Sequence, residues 1–184
     1  NYPEEIHIKK GKHLLMVGNF EYSGNLNGIQ WFLKAVWPLL KAKININLVL
    51  VGKHSEKLKK LIKGDSQVEL TGIVPKLDKY YENACCVILP LFNDGGTKTK
   101  LIEAMAFGVP IVSTSIGAKG FESTNTISIS DHPKEFFELI ENIFTDNYPI
   151  NSLIKSRKMI KNNYTWDGIG NQLNNLISTI NANT

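Results

Sequence analysis

Short runs of β-forming residues alternate with helical patterns from His13 to about Phe144. This alternation is typical of parallel βαβ units, in which helices cover both faces of one sheet. Several of the runs are continuously apolar, as expected for strands buried on both sides. The predicted strands are His13–Val17, Asn47–Val51, Val68–Leu70, Val87–Leu89, Ile111–Ser113 and Thr126–Ile129. The fold class is therefore predicted to be α/β.

Helical spacing of apolar residues predicts the elements between and after these strands. The first is Ile29–Leu40, whose apolar stripe includes Phe32 and Trp37, so both aromatics are expected in the core. Pro38 should kink or loosen its last turn. The second predicted helix is Ser55–Lys63, with Ser55 as a candidate N-cap and Gly64 as a candidate stop. The other predicted helices are Lys76–Asn83, Thr97–Phe107, Pro133–Thr145, Asn151–Asn162 and Asp167–Ile180.

Bulk properties limit the classes of protein to which the chain can belong. With 184 residues, 42% of them hydrophobic and 21% charged, it fits one folded domain of ordinary composition. The net charge of +4 is mild; it fits phosphate ligands, although a solvated, lysine-rich helix face is the commoner explanation. No nucleic-acid partner is expected. No apolar run approaches the roughly 20 residues of a membrane span, and the first residues do not resemble a signal peptide. A cytoplasmic location is expected, with Cys85 and Cys86 both in the core rather than bridged.

Ligands of open parallel sheets gather in the loops that follow the strands, and four such loops stand out. They are Gly18–Gly28, Gly52–His54, Gly72–Lys76 and Phe92–Lys100. The segment from Asn93 to Lys100 contains a glycine pair and leads into a helix N-terminus, whose free N–H groups and dipole attract anions. Lys98 and Lys100 lie in the first turn, where a cation is disfavoured unless an anion is bound. Phosphate binding is the favoured interpretation, and a glycine turn with solvated lysines is the alternative.

Glu103 follows Lys100 by three residues and so lies one turn deeper on the same side of the helix. Its carboxylate would be placed to accept hydrogen bonds from ribose hydroxyls. A surface ion pair with Lys100 explains the spacing equally well. Neither a Walker A pattern nor GxGxxG after the first strand is present.

The stretch from Gly95 to Thr114 reads GGTKTKLIEAMAFGVPIVST. It closely resembles the donor-site signature of the group 1 (family 4) retaining glycosyltransferases. Further matches occur in family order over roughly residues 12 to 121. They are Val17-Gly18-Asn19 with Asn25 downstream, Trp31-Phe32-Leu33, Val36-Trp37-Pro38, Leu50-Val51-Gly52, Thr71-Gly72-Ile73-Val74 and Gly117-Ala118-Lys119-Gly120.

The resemblance implies a GT-B fold, in which two Rossmann-like domains face each other across a cleft. This chain resembles the C-terminal half, with residues 1–11 as a linker stub, 12–145 as a three-layer Rossmann-like donor domain and 146–184 as C-terminal helices. The implied partners are a nucleotide-sugar donor, UDP- or GDP-linked, and an N-terminal acceptor domain outside this chain. Any peripheral membrane association would run through that other domain. No metal or other cofactor is required.

The resemblance also assigns roles to individual residues. Glu103 would hold the ribose, and the amides around Gly96, Thr97 and Lys98 would face the pyrophosphate. Lys98 and Lys100 would stabilise the leaving phosphate in a front-face, retaining transfer. The remaining implied donor-site residues are Gly18, Gly52, Lys53, Val74, Lys76, Gly95 and Thr99, with His54 a further candidate near the cleft.

One position departs from the family pattern. Many members carry a glutamate eight residues before the ribose glutamate, where this chain has Gly95. The sequence therefore resembles a Gly-Gly-Thr-Lys branch, and the identity of the sugar stays open. The alternatives are a non-catalytic nucleotide-binding or partner-binding module and a sugar-nucleotide epimerase of the same fold. The apolar stripe of Asp167–Ile180 would either cover this domain's own core or form an exposed patch.

Overall fold

A computed structural model describes residue 11 and residues 13–93, 99–124, 126–145 and 148–182 of the chain. Six parallel strands form one sheet in this part of the chain, in the order β3-β2-β1-β4-β5-β6. The α/β prediction is confirmed. The strands are β1 (His13–Val17), β2 (Asn47–Val51), β3 (Val68–Gly72), β4 (Ala84–Leu89), β5 (Ile111–Ser113) and β6 (Ile127–Ile129).

Nine α-helical segments, a π-helical turn and a 3-10 turn connect and extend the strands among the described residues. The segments up to the site are α1 (Ser23–Trp31), the π-helical turn Phe32–Val36, α2 (Trp37–Lys43), α3 (Glu56–Leu61), α4 (Asp78–Glu82) and α5 (Thr99–Phe107). Those after it are α6 (Ser115–Ala118), the 3-10 turn Glu122–Thr124, α7 (Pro133–Phe144), α8 (Ile150–Asn163) and α9 (Trp166–Ala182). None of the described helices is long and apolar enough to cross a membrane.

Two apolar clusters cover the two faces of the sheet, so the architecture has three layers. Leu14 and Met16 belong to one cluster and Leu15 to the other, because successive side chains of a strand point to opposite faces. The first cluster includes residues from α1, α2 and α7, and the second includes residues from α4, α5 and α8. Cys86 is fully buried and Cys85 half-buried, and both thiols are free.

The first helical region differs from its prediction. The segment Gly18–Gly28 was expected to be a loop with a helix at Ile29–Leu40, but α1 already begins at Ser23. Close packing explains the difference, because a Cβ added to Gly28 would lie 1.8 Å from the Pro90 carbonyl oxygen. The glycine permits a backbone contact between α1 and the segment after β4. Tertiary packing thus makes a helix of residues with weak intrinsic preference for one.

Pro38 disturbs the helix earlier than its predicted effect on the last turn. The N–H of Trp37 donates to the Phe32 carbonyl, one residue further back than in an α-helix. Pro38 then occupies the first turn of α2, where its missing N–H costs nothing. The π-helical turn absorbs the misfit. Phe32 and Trp37 are buried as predicted.

Candidate functional site

The carboxyl ends of β1, β2 and β3 are joined by backbone hydrogen bonds that continue past the strands. The Gly18 N–H donates to the Val51 carbonyl at 2.8 Å, and the Gly52 N–H donates to the Gly72 carbonyl at 2.8 Å. Gly52 has φ +126°, and a Cβ on it would lie 2.0 Å from the Gly18 carbonyl oxygen. Only glycine fits this position. Gly18 and Gly52 therefore form a closely packed backbone floor.

Lys100 lies above this floor, on the first turn of α5. Its ammonium donates to Asn25 Oδ1 at 3.5 Å, and a Cβ on Gly18 would lie 3.3 Å from Lys100 Nζ. Asn25 is buried, and its Nδ2 donates to the Asn19 carbonyl at 2.8 Å. That bond orients the carboxamide so that its oxygen faces the lysine. Asn25 is one of the residues that match the family pattern, but no role is predicted for it from the sequence.

Burial dominates the electrostatics of Lys100. Desolvation lowers the pKa of its ammonium, and the nearby negative charge of Glu103 partly opposes this effect. The hydrogen-bond partner of the ammonium among the described residues is a neutral amide. A partly buried cation with a neutral partner favours an anion beside it.

Glu103 occupies the next turn of α5, on the same side as Lys100. The Tyr81 hydroxyl donates to its Oε2 at 2.8 Å. The Tyr81 ring is 1% exposed and stacks on Phe107, with ring centroids 5.0 Å apart. A buried phenol therefore fixes the carboxylate that was predicted from the sequence to hold the ribose. This contact was not predicted from the sequence.

The other predicted donor-site residues have their own local contacts. The Lys53 carbonyl accepts the Phe20 N–H at 2.7 Å, whereas its ammonium pairs with Glu21 at 2.7 Å. Val74 packs against the cluster that includes α5, and Lys76 is exposed before α4. His54 is half-buried, its Nδ1 3.4 Å from the Gly52 carbonyl oxygen. The structure thus places Lys100 against Gly18 and one helical turn from Glu103. The Lys53 ammonium is paired with Glu21, and Lys76 is exposed.

Thr99 begins α5 and is exposed. The predicted contacts Gly95, Gly96, Thr97 and Lys98 lie outside the described residues.

Thr114 ties β5 to the segment that follows β4. Its hydroxyl donates to the Leu91 carbonyl and accepts the Gly117 N–H at 3.3 Å, which caps α6. The neighbouring Ser113 hydroxyl donates to the Leu89 carbonyl at 3.1 Å. These buried bonds hold the chain at the point where it leaves β4 for the glycine pair.

The site lies where the strand order changes direction, between β1 and β4. The connections after these two strands diverge, α1 packing on one face of the sheet and α5 on the other. Crevices at such switch points are the usual ligand sites of open α/β sheets. No group of three or more His, Cys, Asp or Glu side chains in the described part of the chain is arranged to hold a metal ion.

Comparison with known proteins identifies the family. Residues 11–146 match the family model described as glycosyl transferases group 1. An uncharacterised 44.6 kDa protein of the Klebsiella pneumoniae cps region is 35% identical over 124 residues, which cover 59% of this chain and 30% of that protein. An uncharacterised glycosyltransferase of Haemophilus influenzae is 34% identical over 111 residues, 56% of this chain and 30% of that protein. The chain thus spans about a third of the length of these relatives.

Solved structures show the same fold. TarM aligns with a TM-score of 0.73 at 20% identity, over 96% of this chain and 36% of its own. The pneumococcal O-GlcNAc transferase GtfA, solved with UDP and GlcNAc, aligns with a TM-score of 0.67 at 18% identity, over 94% of this chain and 36% of its own. Anabaena HepE, solved with UDP-glucose, gives 0.67 at 13% identity, over 94% of this chain and 50% of its own. The architecture is therefore that of GT-B glycosyltransferases.

Proposed function

Because the chain belongs to the group 1 glycosyl transferases, we propose that it is the donor half of a retaining glycosyltransferase that uses a UDP- or GDP-sugar. The observation that carries the proposal is the pair Lys100 and Glu103. A desolvated ammonium and an anchored carboxylate stand on successive turns of α5 at the switch point. The ammonium suits a diphosphate and the carboxylate a ribose. GtfA and HepE, which share the fold, were solved with UDP and with UDP-glucose, respectively.

In the proposed reaction, the bond between the sugar C1 and the diphosphate oxygen breaks while the acceptor oxygen bonds to C1 on the same face. The acceptor proton passes to the departing diphosphate. Lys100, Lys98 and the start of α5 would stabilise the charge that develops on that diphosphate. Loss of one such donor typically raises a barrier by about 3 kcal/mol. The amides around Gly96, Thr97 and Lys98 would face the pyrophosphate, and Gly18 would help to form the floor of the cleft.

The proposal includes a second domain that binds the acceptor, which is a glycan or a lipid-linked molecule. Its support is the face of α9, where Leu173 is 56% and Leu176 62% exposed beside Ile169, Ile177 and Ile180. Trp166, at the start of α9, is 89% exposed. An apolar stripe of this length on a monomer usually marks an interface. We propose that the N-terminal half of the enzyme covers it, and that the 184-residue chain alone binds donor without efficient transfer. A cytosolic location stays a prediction, with which the two free thiols agree.

Calorimetric titration with UDP, GDP, ADP, dTDP and their common sugar conjugates tests the donor site. We expect one diphosphate to bind at micromolar to millimolar concentration and Glu103→Ala to weaken it by roughly tenfold, since a hydrogen bond to a charged group is lost. Absence of binding by every nucleotide at millimolar concentration would refute the proposal. Unchanged binding by Glu103→Ala would refute the ribose role alone.

A further inference from the structure

We propose that Tyr81 is a positioning residue that sets the ribose selectivity of the site by holding one oxygen of the Glu103 carboxylate. This inference rests on the proposed function, because it requires Glu103 to face the ribose. The contact that carries it is the 2.8 Å hydrogen bond from the Tyr81 hydroxyl to Glu103 Oε2.

Packing fixes the direction of the Tyr81 hydroxyl. The ring is almost fully buried and lies nearly parallel to Phe107, at an interplanar angle of 12°. Phe107 is four residues after Glu103 on α5, so the two side chains lie on one face of the helix, about 6 Å apart along its axis. A ring stacked on Phe107 therefore directs its hydroxyl up the helix, towards the carboxylate and the nucleotide site.

A carboxylate held in this way has a defined free side. Oε2 is engaged by the phenol, and no hydrogen bond to Oε1 is seen among the described residues. A glutamate side chain on a helix otherwise samples several rotamers, and ligand binding must then restrict them. Tyr81 removes that requirement before the nucleotide arrives. Oε1 is thereby presented as a fixed acceptor for a ribose hydroxyl, and a deoxyribose would leave it without a donor.

The test is the ribose preference, defined as the Kd of the 2′-deoxy or 3′-deoxy nucleotide divided by that of the parent. The probes are UDP and its two deoxy forms, or the GDP set if GDP binds more tightly. Tyr81→Phe keeps the ring and its stacking on Phe107 and removes only the hydroxyl. We expect it to lower the larger of the two preferences by roughly threefold to tenfold. Affinity for the deoxy form should change much less than affinity for the parent.

Two variants accompany the measurement. Tyr80→Phe removes the adjacent phenol hydroxyl, from a half-buried ring beside the Lys79 ammonium, and should leave the preference unchanged. Glu103→Ala removes the acceptor itself and should lower the preference at least as much as Tyr81→Phe. Thermal unfolding of each variant establishes that it is folded.

The outcomes separate the two hypotheses. If Glu103→Ala retains the ribose preference, the ribose role of Glu103 is wrong and this inference is lost with it. If Glu103→Ala loses the preference and Tyr81→Phe retains it, the proposed function stands and the role of Tyr81 is refuted. An equal loss of affinity for parent and deoxy nucleotides in Tyr81→Phe, or an equal effect of Tyr80→Phe, would also overturn it.

Discussion

Lys100 illustrates how one residue can lower the stability of the fold and still suit the proposed donor site. Burial lowers the pKa of its ammonium below the ordinary 10.5. Between the lowered pKa and 10.5, the unfolded chain holds a proton that the folded chain has lost. Stability therefore rises with pH across this window, and at neutral pH the fold bears the cost of a desolvated cation. A bound diphosphate would offset that cost.

Lys100→Met should therefore separate stability from binding. We expect a higher free energy of unfolding at pH 7 and loss of its rise at alkaline pH, because the buried charge is gone. UDP affinity should fall roughly tenfold to a hundredfold. In the natural protein, UDP affinity should decline as pH rises through the lowered pKa. Urea unfolding and calorimetry between pH 7 and 10 measure these effects.

The control is Lys63→Met, which removes an exposed lysine after α3. It should change neither the pH profile nor UDP affinity. A Lys100→Met protein that binds UDP as tightly as the natural one would contradict the assignment of Lys100 to the phosphate.

At this scale, the sequence predicted relations within one helix but not those between distant segments. The spacing of Lys100 and Glu103 placed them on one side of a helix, and the structure agrees. Asn25 and Tyr81 were not predicted as their partners, because they lie 75 and 22 residues away in sequence. Such contacts depend on the strand order and on packing, neither of which residue periodicity contains.

The same division holds for whole elements. Three strands, β1, β2 and β5, have their predicted bounds, since a buried parallel strand is a continuous apolar run between polar ends. Ser55 caps α3 as predicted, its hydroxyl accepting the Leu58 N–H at 3.3 Å. The start of α1 was missed because the contact of Gly28 with Pro90 is a tertiary effect. Local propensity favours a loop there.

Thr114 gives the elements around the site a testable link. Thr114→Val keeps the shape of the side chain but leaves the Leu91 carbonyl and the Gly117 N–H without the hydroxyl. Unsatisfied buried groups of this kind cost about 1–3 kcal/mol. We expect a Tm lowered by about 2–10 °C, together with weaker UDP binding because the segment after β4 loses its anchor. Scanning calorimetry and UDP titration check both effects.

Thr179→Val is the matched control, since its hydroxyl donates to the Asn175 carbonyl on the exposed surface of α9. Its stability should stay within about 0.5 kcal/mol of the natural chain. Equal losses of stability in the two variants would show that Thr114 has no special part in joining β5 to the site.

The helix α9 differs from the sheet and its two covering layers in the exposure of its apolar side chains. The apolar residues of the layers are buried, whereas the stripe on α9 is exposed. Sequence periodicity predicted the stripe but not whether it covers this domain's core or forms an exposed patch, because a helix pattern does not specify what the helix packs against. In the structure, the stripe is an exposed patch.

If the proposed second domain covers that patch, substitutions in the patch should lower the free energy of unfolding only in a protein that contains both domains. Leu173→Gln with Leu176→Gln should change the free energy of unfolding of the 184-residue chain by less than about 1 kcal/mol, because both side chains are largely exposed already. In a protein that also carries the N-terminal half, the same pair should lower the free energy of unfolding by about 2 kcal/mol or more, since two buried leucines would be lost.

The control is Asn171→Gln with Ser178→Gln, on the opposite face of α9, which should be neutral in both proteins. A pair at 173 and 176 that is equally mild in the longer protein would place the interface elsewhere. A large loss in the short chain would mean that α9 packs on its own domain.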